Sequence, residues 1–158
     1  MDRERLIEKR EALQAKLEGA DRLRRIGDLI QHLNKQGAEF EIHMECKKAQ
    51  EALYAYPGNF TGLNWDAIPN SNKANYQSIA ERNQIVSSTI IQYLDGSDTV
   101  FVTWGDGAKP ILEISAKTAA KNAGAITDED FDTWFLNPEK GFCLEHYHEG
   151  YVAWIIAS

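Results

Sequence analysis

The chain is poor in the features that assign a protein quickly. Cys46 and Cys143 are its only cysteines among 158 residues, and they lie far apart in sequence. That excludes a disulfide-stapled secreted scaffold and points to a reducing compartment, the cytoplasm. No apolar run approaches the roughly 18–20 residues needed to span a bilayer. The longest, Tyr151–Ala157, has the length of a strand. The N-terminus, Met1-Asp2-Arg3-Glu4-Arg5, is charged and lacks the apolar core of a secretory leader. There is no internal repeat and no low-complexity tract. A basic surplus is missing too: the net charge is −7. Neutralising phosphates needs a basic surface, so nucleic acid is not the expected partner.

What is present is ordinary for a folded protein. Hydrophobic residues make up 43% and charged residues 26%, and the length suits one domain over residues 1–158. Charge divides it into an N-terminal segment, 1–36, and a body, 37–158. Residues 1–35 hold nine Lys or Arg against seven Asp or Glu, whereas residues 36–158 hold eight against 17. An acidic body suits a basic protein partner, because opposite fields steer association.

Leu6, Leu13, Leu17, Ala20, Leu23, Ile26, Ile30 and Leu33 recur at three-, four- and seven-residue spacing. This predicts helix over 3–36, broken near Gly19 with Asp21 as a second N-cap, its stripe packed on the core. Phe40, Ile42 and Met44 alternate with charged or polar residues, as in a half-buried edge strand. Ala49, Ala52, Leu53 and Tyr56 suggest a short helix before Pro57-Gly58. Residues 57–74 have loop composition, yet Phe60, Leu63, Trp65 and Ile68 imply that the loop packs down. Tyr76, Ile79, Val86, Ile90 and Leu94 share one face of a helix over 73–95. Thr99–Trp104 and Pro110–Ser115 read as a hairpin about Gly105-Asp106-Gly107. Ser115 caps a helix over 116–123. Thr127 is the expected N-cap of a further helix, with Asp128, Glu129 and Asp130 in its first turn and Phe131, Trp134 and Phe135 on its apolar face. Phe142–His148 and Tyr151–Ala157 form a last hairpin around Glu149-Gly150. Short turns rather than crossover helices join the strands. The expected fold is therefore α+β: an antiparallel sheet of about five strands with helices on one face.

No complete catalytic constellation emerges, so no enzyme and no cofactor is expected. Glu145-His146-Tyr147-His148-Glu149 is the densest ionisable cluster. His146 and His148 would share a strand face and could ligate a metal with His43, Asp106 or another carboxylate, as in a small metal-dependent hydrolase. A polar hairpin end explains them without metal, and that reading is preferred. Cys143, between Phe142 and Leu144, reads as core filling. Gly105-Asp106-Gly107 lacks the Lys-Ser/Thr ending and following helix of a phosphate loop. A third reading makes the 3–36 helix the seam of an oligomeric adaptor.

The run Trp134-Phe135-Leu136-Asn137-Pro138-Glu139-Lys140-Gly141-Phe142-Cys143-Leu144-Glu145, with the strand ending near Tyr147–Trp154, resembles segments of bacterial immunity proteins. These neutralise polymorphic toxins, including those of contact-dependent growth inhibition. The resemblance covers the last third of the chain and implies an inhibitor that binds a cognate toxin domain, basic where that toxin is a nuclease. Asp106, Asp128, Glu129, Asp130, Asp132, Glu145 and Glu149 are the residues expected to face it.

Overall fold

The computed structural model describes residues 2–58 and 62–157; Phe60, expected to pack down, lies outside them. Among these residues seven strands form one antiparallel sheet in the order β1-β4-β3-β5-β6-β7-β2. They are β1 (Phe40–His43), β2 (Asn72–Asn75), β3 (Thr99–Trp104), β4 (Ile111–Ser115), β5 (Thr133–Asn137), β6 (Phe142–Tyr147) and β7 (Tyr151–Ile155). Among the described residues six α-helices accompany them: α1 (Arg3–Arg24), α2 (Gly27–Lys35), α3 (Lys47–Tyr54), α4 (Ile79–Tyr93), α5 (Ala116–Lys121) and α6 (Ala123–Thr127). The α+β reading holds, with seven strands in place of five. Among the described residues, no helix is long and apolar enough to cross a membrane.

Both sheet faces are covered. On one face Ile26, Leu33, Val86, Ile90, Ala119 and Ile126, from α2, α4, α5 and α6 and the residue before α2, meet Val100, Val102, Leu112, Phe135 and Leu144. This is the helical layer that the sequence predicts. The other face, carrying Phe101, Trp134, Leu136, Cys143 and Ala153, is covered by α3 and by Leu63, Trp65 and Ile68 of an irregular segment. Central strands buried on both sides are apolar throughout rather than alternating, which is the pattern of TVFVTW and TWFLN. Cys143 is fully buried, as expected for core filling.

Three expectations fail for identifiable reasons. The helix runs through Gly19 and breaks instead at Arg25-Ile26. Its first 22 residues bury nothing: Leu13 and Leu17 are 58% and 61% exposed, and the core takes up the stripe only from Ile26 onward. Residues 133–137 form a central strand, not a helix. Between β3 and β6 each residue gains a ladder partner, Thr133 with Trp104 and His146, and Phe135 with Val102 and Leu144. The β-branched and aromatic run suits that place. Finally, Asn72–Asn75, assigned to the loop and the start of a helix, pairs with β7 as an edge strand, and α4 begins only after Ser78, whose side chain accepts from Glu81 N.

Candidate partner-binding face

The register brings the ends of several strands together. Thr133 at the start of β5 lies opposite Trp104 at the end of β3 and His146 near the end of β6. Asn75, ending β2, lies opposite Tyr151, beginning β7. The β3–β4 turn, the α6–β5 connection and the β6–β7 turn therefore crowd one end of the sheet, and they carry six of the seven acids singled out above. Gly150 makes the last turn possible: its φ is +96°, a left-handed conformation that side chains resist.

The connection 128–132 is held by its own acids. Asp130 accepts from the backbone N–H of Asp106 (2.8 Å) and from that of Phe131 (2.7 Å), and it pairs with Lys109 at 3.4 Å. Lys109 also donates to the Glu129 carbonyl. Asp132 accepts from the His148 N–H (3.0 Å) and contacts His148 Nδ1 (2.9 Å). Asp130 and Asp132, each with a side chain only 13% exposed, thus fix the loop rather than face solvent. Asp128 pairs with Arg82 at 2.6 Å yet stays 59% exposed. Asp106 contacts Arg25 at 3.3 Å and is 40% exposed. Glu149 is exposed and Glu129 half-buried; burial raises the Glu129 carboxyl above its ordinary range. Six carboxylates here accompany three paired cations, Arg25, Arg82 and Lys109. The acids follow a helix C-terminus, not an N-terminus, so these cations supply the compensation that a dipole would have given.

The same connection carries Phe131, 78% exposed. It borders a depression whose walls include Tyr76, Arg82, Asp128 and His146. A helical reading of 128–135 placed this ring in the core. Its enclosure between Asp130 and Asp132 was the available sign that it lies outside, and nothing in the sequence marked Arg82 or Lys109 as their partners.

The two histidines go separate ways. His146 is 3% exposed, and its Nε2 lies 2.9 Å from the Tyr76 hydroxyl. Burial, and then the nearby Arg82 charge, push its pKa down to about 4, so it is neutral at physiological pH. His148 pairs with Asp132. His43, weighed above as a third ligand, sits on β1, four strands from β6.

Glu145 departs from the expectation most clearly. It is fully buried on the opposite sheet face and cannot meet a partner. Its carboxylate accepts from Leu63 N (2.9 Å), Trp65 Nε1 (3.1 Å), Trp134 Nε1 and the Tyr151 hydroxyl (3.4 Å). Burial raises its pKa, opposed by those N–H donors. Gly62 allows the close approach: a Cβ there would lie 3.1 Å from a Glu145 oxygen.

Comparison with known proteins supplies the remaining link. The family model described as CdiI immunity protein EcoliA0-like matches residues 23–155, which covers α2 and every strand but almost none of α1. No curated protein matches the chain. The chain belongs to this CdiI immunity family, and is an immunity protein that neutralises a toxin by binding, not an enzyme.

Proposed function

We propose that the loop-bearing end of the sheet docks a basic toxin domain inside the producing cell, with Phe131 as the apolar anchor and Asp106, Asp128, Glu129 and Glu149 as the charged rim. The observation that carries this reading is the exposed Phe131 ring set among acids on a braced loop. A largely exposed aromatic costs hydration in the free protein, and central aromatics dominate interface energies when covered. The rim acids raise the encounter rate with a basic surface and weaken with salt. A nuclease fits as the toxin, because a cleft built for phosphates also accepts carboxylates. Asp130 and Asp132 contribute by preorganising the loop, which lowers the ordering cost on binding.

The test is binding of the cognate toxin domain to the wild-type protein and to a D128K/E149K double variant, each at low and moderate salt. Charge reversal should weaken binding about 10- to 100-fold, and the wild-type affinity should fall with salt. Unchanged affinity and unchanged protection of cells expressing the toxin would move the interface elsewhere on the molecule.

A further inference from the structure

At the edge of the sheet remote from β6 and β7, Glu41 of β1 lies directly opposite Glu113 of β4. Like charges in that relation are destabilising unless a cation separates them. Among the described residues neither carboxylate has a Lys or Arg ion-pair partner. Each instead has one basic neighbour, His43, two residues along from Glu41 on the same face. His43 Nε2 lies 3.1 Å from Glu113 Oε1 and 3.8 Å from Glu41 Oε2. One ligand atom from each of the three residues falls within 4.8 Å of the others. The three side chains converge because a pleated ladder puts i, i+2 and the cross-strand partner on one face. This is the only such group of His, Cys, Asp and Glu among the described residues.

We propose that Glu41, His43 and Glu113 bind a divalent transition-metal ion of the zinc class. The donor set decides the class: one imidazole with two carboxylates suits Zn²⁺ and its neighbours, whereas calcium and magnesium prefer oxygen alone. The burial is graded in a way that fits. The His43 and Glu113 side chains are 31% and 30% exposed and Glu41 is 69% exposed. The ion has an open side for entry and for water to complete its coordination. Binding would replace a repulsive cross-strand pair with a clip that holds a four-residue edge strand to the sheet.

The experiment is calorimetric titration of the full, chelator-treated protein with Zn²⁺ in a non-coordinating buffer near neutral pH, with thermal melts in parallel. The wild type should bind one equivalent saturably and melt higher with zinc. Affinity should fall at least about 10-fold in H43A and in E113Q, and should be unchanged in H148A. Without zinc, E113Q should melt no lower than wild type, because it removes the repulsion. E41Q provides the same test should E113Q fail to fold. No saturable binding to the wild type, binding retained in H43A, or binding lost in H148A instead would each overturn the assignment.

Discussion

Two sets of acids, read from the sequence as one class, have opposite fates. Glu145 sits beneath the 62–71 segment with indole and backbone N–H groups aimed at it, and no solvent reaches it. Asp128 and Glu149 lie at the sheet end with their charges towards water. The first acid is a fastener that couples an irregular segment to β5, β6 and β7. The second pair stays accessible for recognition, although Asp128 also pairs with the buried Arg82. A carboxylate's residue type and its neighbours in sequence do not separate these roles; the number of donors facing it does.

Glu145→Ala breaks the comparison most severely. It strands at least three buried N–H donors and should cost about 3–5 kcal/mol, read from denaturant midpoints. An effect under about 1 kcal/mol would show that the segment over the second sheet face is not held by this carboxylate. Next comes His146, at the boundary of the two regions. Its folded-state pKa is about 4, below the ordinary 6.5, so the unfolded chain takes up a proton first as pH falls. Stability should be complete above about pH 6.5 and decline by roughly 2–3 kcal/mol towards pH 4. His146→Gln should flatten that slope in pH-dependent melts. A slope unchanged by the substitution would assign the loss to other groups.

Phe131→Ala should leave stability within about 0.5 kcal/mol of wild type, since the ring buries little, while weakening toxin binding by about 2 kcal/mol or more. Destabilisation with binding intact would reverse its assigned role. The smallest expected effect is Asp128→Asn alone. One rim charge should slow association a few-fold and leave dissociation nearly unchanged in stopped-flow measurements. A change mainly in the dissociation rate would place Asp128 at the centre of the interface.

The helical layer, the β3–β4 and β6–β7 hairpins, the edge position of β1 and the Ser115 cap were all legible, because each follows from local periodicity or turn chemistry. Residues 127–137 were not. Their spacing fits a helix face as well as a buried strand, and the choice falls to β3 and β6, distant in sequence, which need a strand between them. The same limit hid Glu145: its donors come from Leu63, Trp65 and Trp134, and only the assembled sheet brings these together. Each acid was named from its local context, but their gathering at one sheet end follows only from the strand register, and the inward turn of Asp130 and Asp132 depends on Lys109 and His148 arriving from other turns.

The α1 helix has a consequence for how the molecule moves. Arg22 bonds to the Ala108 and Lys109 carbonyls near its C-terminal end, and no residue along it is buried. Twenty-two helical residues extend about 33 Å, so within a 17.9 kDa chain the body carries a rod about as long as a small domain is wide. Rotational diffusion should then be anisotropic, with a correlation time longer than that of a sphere of this mass. Amide protons of residues 3–20 should exchange within the fraying regime of an isolated helix, while those of β3 and β5 persist to the timescale of global opening.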